Sequence, residues 1–102
     1  MTISENLQRL GVELPPAPRP VGSYLSACQA GDLVFVSGVL PFQEGKILQP
    51  GKVGRDLTVE QGAANARVAV INALAILQQE VGDLSRITRI VRLTGHVASA
   101  EG

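Results

Sequence analysis

The sequence predicts one small α+β domain, a helix laid on a sheet. Three features point to it: an apolar run at 33–36 behind a Gly31-Asp32 turn, a capped aliphatic stripe from Thr58 to Gly82, and a β-branched stretch over 87–97. The chain has 102 residues, too few for two independent cores. Hydrophobic residues make up 45% of it, which excludes a disordered chain, and aromatics only 3%, which makes the core aliphatic.

Each element has a local cause. Ile3, Leu7 and Leu10 fall at helical spacing, so 2–10 reads as a short helix with Ser4 as its cap, stopped by Gly11. Leu14-Pro15-Pro16-Ala17-Pro18-Arg19-Pro20 excludes helix and central strand and reads as an extended surface strap. Residues 1–20 are therefore an N-terminal segment and proline-rich lead-in, and 21–102 the folded domain.

Val21 to Ala30 is expected as a first strand and Asp32 to Ser37 as a second. Leu33-Val34-Phe35-Val36 is apolar on both alternating faces, which predicts cover on both sides. Residues 43–56, rich in glycine and charge, read as a surface loop with an edge pairing near Lys46 to Leu48.

Thr58-Val59-Glu60-Gln61 spells a capping box, and Ala66, Val70, Ala73, Leu74, Leu77 and Val81 recur at steps of three and four behind it. Gly82 closes that helix. After an Asp83-Leu84 turn, Ile87 to Val97 reads as a long strand. The spacing of Arg86, Arg89 and Arg92 would also suit a basic helix, but Ile87, Thr88, Ile90, Val91 and Thr94 are β-branched and favour the strand. Three strands under one helix leave a sheet face bare, with Val34, Val36 and Ile90 on such faces, and a bare apolar face calls for a partner.

Composition excludes several function classes. Nine basic and nine acidic residues cancel, so there is no general case for nucleic acid or an anionic membrane surface. One cysteine, Cys28, cannot form an internal disulfide and suits a reducing compartment. The most apolar window, 63–77, is interrupted by Asn65, Arg67 and Asn72 and is shorter than the ~20 residues a membrane span needs. No leader is visible in the first ten residues, so the expected location is the cytoplasm. Cys28 and His96 alone cannot build a zinc site, and no phosphate-binding loop or nucleophile elbow occurs.

Gly22-Ser23-Tyr24, then Gly31-Asp32-Leu33-Val34-Phe35-Val36-Ser37-Gly38-Val39-Leu40-Pro41, resembles the opening of the Rid family (reactive intermediate deaminases, YjgF-like, formerly labelled endoribonuclease L-PSP). Gly45-Lys46, Gly54, Asp56-Leu57-Thr58, Glu60-Gln61, Val81-Gly82-Asp83-Leu84 and Arg92-Leu93-Thr94-Gly95-His96-Val97 extend the likeness over about 18–99. The resemblance implies a chorismate-mutase-like fold assembled as a homotrimer, with clefts between subunits. It also implies hydrolysis of small 2-imino acids to 2-oxo acids and ammonia, with no metal or organic cofactor. A deaminase of the 2-iminobutanoate/2-iminopropanoate type is one reading for this chain. A non-catalytic module binding a small metabolite or a protein is the alternative, and an RNA-acting translation inhibitor is disfavoured by the neutral charge.

The family's second helix and last strand, which carry an arginine for the substrate carboxylate and a late glutamate, have no counterpart in 1–102, so the Rid-like domain is expected to be C-terminally incomplete. Serine also stands at position 23 where the family commonly has proline.

Within the chain, the resemblance makes Tyr24 the candidate catalytic residue, its hydroxyl orienting water or the imine nitrogen. Ser37 and Gly38, at a strand end, are candidates for substrate binding, with Arg92 as a substitute carboxylate anchor. The plainer readings are a packed tyrosine, a turn glycine and a solvated arginine. His96 reads as a structural or surface residue, Arg67 as a solvated one, Cys28 as a small apolar filler, and Asn72 as a partner for a backbone group beside the helix.

Overall fold

A computed structural model describes residues 2–101. Helix α1 spans Ile3–Arg9. Thr2, and not Ser4, caps it, its hydroxyl accepting from the Glu5 N–H at 3.1 Å, because the helix already begins at Ile3 and places Ser4 within the first turn. Residues 12–20 follow as an unpaired strap.

Strands β1 (Ala27–Ala30) and β2 (Leu33–Val36) form an antiparallel hairpin with Ala27 opposite Val36 and Ala30 opposite Leu33. Gly31 opens its two-residue loop at φ +60°, a conformation that costs glycine little. The first strand is shorter than the sequence suggests. Residues 21–24 bend, and the Val21 N–H donates to the Tyr24 hydroxyl at 3.3 Å, so this stretch turns back on itself before any ladder starts.

A second hairpin pairs β3 (Phe42–Gln43) with β4 (Lys46–Ile47) around Glu44-Gly45, both at positive φ. The pairing expected near Lys46 thus finds its partner just across a tight turn.

Helix α2 runs Val59–Val81 and packs on both hairpins. Its capping box is complete: the Thr58 hydroxyl accepts from the Gln61 N–H at 3.1 Å, and the Gln61 carboxamide accepts from the Thr58 N–H at 2.8 Å. Gly82 ends it at φ +87°, its N–H donating to the Gln78 carbonyl at 2.8 Å. The stripe that apolar periodicity selects is met in part: Val81 is buried and Ala73, Leu74 and Leu77 are half-buried, but the packed face is centred elsewhere. Asn72, Ala75, Ile76 and Val81 are buried while Ala66 and Val70 are exposed. Asn72, a polar residue that apolar counting omits, sits within the packed face.

After the short 3₁₀ turn η1 (Leu84–Arg86), residues 88–97 run on unpaired, in place of the expected long strand. A strand needs a neighbour to accept its hydrogen bonds, and neither hairpin comes alongside this stretch, so β-branched propensity has nothing to complete it. Ile90, Val91, Leu93 and Val97 are exposed. Its end is fastened nonetheless: the Val53 N–H donates to the Ala98 carbonyl, and the Ala100 N–H to the Val53 carbonyl, both at 2.9 Å.

Among the described residues the sheets are therefore two separate two-stranded ones, not one of three. The helix side of β1–β2 carries buried Ala27 and half-buried Val34 and Val36. The open side carries exposed Leu33 and Phe35, so this hairpin is covered on one face only, and the bare face is not that of Val34 and Val36. Leu84, 2% exposed, closes the core where η1 meets α1 and α2. Neither helix is long and apolar enough to cross a membrane.

Candidate functional site

A recess forms where the proline strap crosses the open end of the β1–β2 hairpin. Pro18, Arg19 and Pro20 make one wall, and Val21 and Tyr24 the adjoining turn. Ser26, Ser37 and Gly38 bring the strand ends, while Leu40, Phe42 and Ile76 supply an apolar floor. Its free volume is about 30 Å³, room for a water-sized group, and about 330 Å³ once the open mouth is counted.

The hydrogen bonds define what this recess offers. The Tyr24 hydroxyl accepts from the Val21 N–H, which leaves its own proton free to donate outward; the residue is 42% exposed, so a ligand can reach it. Ser37 donates its hydroxyl proton to the Leu25 carbonyl, and its backbone N–H donates to the Ser26 carbonyl at 2.9 Å, so the serine oxygen keeps lone pairs to accept a water proton. Nothing lies within 4 Å of where a Cβ would stand on Gly38, so the chain there is open to an approaching ligand. The recess thus presents one donor and one acceptor over an apolar floor, with a guanidinium on the strap and no acidic residue among its lining.

Tyr24, Ser37 and Gly38, singled out from the sequence, come together here. Arg92 does not join them: it is exposed on the unpaired stretch after η1 and contributes nothing to the lining. His96 and Arg67 are exposed, as expected. Cys28 is exposed too, so it fills no core position as the sequence suggests; it faces the open side of the hairpin, where nothing covers it.

Asn72 is 3% exposed, and its amide donates to the Leu40 carbonyl at 3.1 Å and the Phe42 carbonyl at 2.9 Å. Asn65 does a similar service one level up, exchanging hydrogen bonds with the Gln49 backbone at 3.1 and 2.7 Å. Sequence reading passed over Arg19, Ser26 and Asn65. The signal for Arg19 was its place between two prolines just before Gly22-Ser23-Tyr24.

A second hollow, about 620 Å³ and broadly open, lies between α1, the start of the strap and the end of α2, with Leu7, Val12, Leu14 and Leu84 among its walls.

The sequence pattern of the family described as "YjgF/chorismate mutase-like, putative endoribonuclease" matches residues 4–101. The chain belongs to that family. A protein of Shewanella oneidensis, whose crystal structure is described as that of a putative endoribonuclease, is similar at 39% identity with a TM-score of 0.83, over 88% of this chain and 60% of that one. A crystal structure from Agrobacterium tumefaciens, of unknown function, matches at 37% identity and TM-score 0.73, over 87% and 53%. Protein TCP17 of Trypanosoma cruzi is 38% identical over 98 residues, 96% of this chain and 61% of that protein. This YjgF-family chain therefore spans between about half and three fifths of the length of these relatives. Its small α+β architecture, with helices over antiparallel strands, agrees with the family fold.

Proposed function

We propose that the recess around Tyr24 hydrolyses small 2-imino acids. Water adds to the C=N carbon, the C–N bond then breaks, and a 2-oxo acid and ammonia leave, so the balance needs only water. The observation that carries this reading is the meeting of Tyr24, Ser37 and Gly38 at one recess whose free proton donor and free acceptor differ in role. Tyr24 donates to the imine nitrogen or holds the attacking water through it, and Ser37 accepts from that water, so catalysis is mostly positioning in a partly dry pocket. The bare apolar face of Leu33 and Phe35 supports assembly with further copies, as a trimer with clefts between subunits; the neutral charge supports a small-molecule substrate over a nucleic acid, and the single cysteine suits a cytoplasmic setting.

The test is imine hydrolysis in an assay coupled to a threonine dehydratase. Tyr24→Phe is expected to lower kcat/KM for 2-iminobutanoate by about 10- to 100-fold, the loss of one positioned hydrogen bond to the reacting group. An unchanged value removes the tyrosine from the reaction.

A binding module without turnover is the second reading, favoured by a recess whose interior holds little more than a water-sized group. Thermal stabilisation by 2-oxo acids with no imine hydrolysis would select it.

A further inference from the structure

Residues 88–97 run without a helix, turn or bend, and all of them are exposed. Among the described residues none of their backbone N–H or C=O groups is hydrogen-bonded. The stretch is nonetheless held at both ends. The Ile87 N–H donates to the Leu84 carbonyl at 3.0 Å on one side, and Ala98 and Ala100 are bonded to Val53 at 2.9 Å on the other. A second strand therefore meets a fixed length of open backbone and not a loose tail, which is the condition for recognition by strand addition.

The charge of this stretch is one-sided. Three of the nine basic residues fall within 84–100, and none of the nine acidic ones does. Arg86 is engaged, its Nη1 donating to the Val81 carbonyl at 2.8 Å. Arg89 and Arg92 are exposed and make no ion pair among the described residues. A second copy of the same stretch is a poor partner, because it lays two basic chains side by side. A single-stranded nucleic acid is a poor one too: it is held by stacking as well as by charge, and 84–100 contains no aromatic residue.

We propose that 88–97 is a docking strand for an extended acidic segment of a partner protein, joined by backbone pairing. Once paired, Val91, Leu93 and Val97 fall on one face, and Ile90, Arg92, Thr94 and His96 on the other. The matching segment alternates β-branched apolar residues with acidic ones, apolar beside Val91 and Leu93 and acidic beside Arg92. The recess around Tyr24 takes no part, since none of 88–97 lines it, so this surface stands whether or not the recess is catalytic.

The probe is a fluorescein-labelled eight-residue peptide of alternating glutamate and valine, titrated by fluorescence anisotropy with the full chain. Two control peptides carry lysine for glutamate, or methyl groups on the backbone nitrogens. The acidic peptide is expected to bind, to slow amide hydrogen exchange within 88–97, and to bind more weakly as salt is raised. Neither control should bind. Arg89→Gln combined with Arg92→Gln should weaken it roughly three- to tenfold, and the corresponding pair of lysine substitutions should keep most of the affinity. Val91→Pro, at a position whose N–H no group of the chain uses, should abolish binding. Thermal unfolding verifies that each variant is folded.

No binding of the acidic peptide overturns the proposal, as does binding that leaves exchange in 88–97 unchanged. Equal binding of the lysine peptide removes the charge preference, and equal binding of the methylated one removes the backbone pairing; either overturns it. Protection of 88–97 in the chain alone would give the stretch to a second copy. Protection by an oligouridine and not by the peptide would give it to a nucleic acid, and both results overturn the assignment.

Discussion

Asn72 on α2 holds Phe42 by its backbone: the side-chain amide donates to the Phe42 carbonyl at 2.9 Å, and its second proton reaches the Leu40 carbonyl at 3.1 Å. One buried side chain thus straddles Pro41 and ties the floor of the recess to the helix. The Leu40 carbonyl also accepts from the Phe42 N–H at 2.8 Å, so the Phe42 carbonyl is the one that depends on Asn72, and leaving it without a donor would cost about 1–3 kcal/mol.

Replacing Asn72 by Ala should therefore destabilise the chain by about 1–3 kcal/mol, read from the urea midpoint. Asn72→Asp should be worse at pH 7, since a carboxylate would face two carbonyl oxygens. Its deficit should shrink as the pH falls, because the protonated acid is the form that can donate. Equal midpoints for Asn72→Ala and the unaltered chain would mean that the two bonds contribute nothing net.

The capping box makes a separate, local prediction. Thr58→Ala removes the acceptor for the Gln61 N–H and should cost about 1 kcal/mol, a fall in Tm of roughly 4–8 °C for a domain of this size. Gln61→Ala should cost less, and the double substitution less than the sum, because each partner holds the other in place.

Two aspartates predict the acid limb of stability. Hydrogen bonds from the Arg55 guanidinium and the Lys52 N–H hold the Asp56 carboxyl below its ordinary value of 3.8, and those of the Ser85 backbone and side chain do the same for Asp83. Folded chain then binds fewer protons than unfolded chain at the same pH, so the contribution is fully present above the ordinary carboxyl range. It fades as the pH falls through that value towards the lowered one. Both groups are exposed, so the effect is modest and weakens with salt for the Arg55–Asp56 pair. Denaturation profiles from pH 7 to pH 3 should lose part of their acid slope in Asp56→Asn and Asp83→Asn; unchanged slopes would assign it to other carboxylates.

Amide hydrogen exchange should divide the second half of the chain sharply. The α2 amides around Asn72 to Ile76 should be the slowest, protected by helical bonds and by burial. Those of 88–97 should exchange close to the rate of an unstructured peptide, whereas Val53 and Ala100 should show protection through their bonds across the two segments. Protection throughout 88–97 would reveal that this stretch is paired in solution.

What could be read from the sequence was whatever depends on a few neighbouring residues. Thr58 with Gln61, Gly82 at the end of α2, and the Gly31 turn are set by backbone sterics and short-range hydrogen bonds, and each stands where the residues place it. The C-terminal half of the α2 stripe lies where apolar spacing puts it, but apolar counting discards Asn72, whose burial depends on carbonyls 30 and 32 residues away. The stretch 88–97 has strand propensity without an adjacent strand, and propensity cannot supply one. Tyr24, Ser37 and Gly38 were legible as a group through the motif that contains them. Arg19 was not, because only the path of the strap brings it to the same recess.

Val53 has a consequence for the chain's conformational entropy. With its N–H given to Ala98 and its carbonyl to Ala100, it closes residues 88–97 into a loop fastened at one end by η1 and at the other by two backbone bonds. Ordering a free residue costs roughly 1–2 kcal/mol of backbone entropy, and part of that cost has already been met in a segment whose two ends are held. A strand that comes alongside 88–97 would meet open donors and acceptors on a chain with fewer conformations left to lose. The same restraint that keeps this stretch in place makes it a ready edge for pairing.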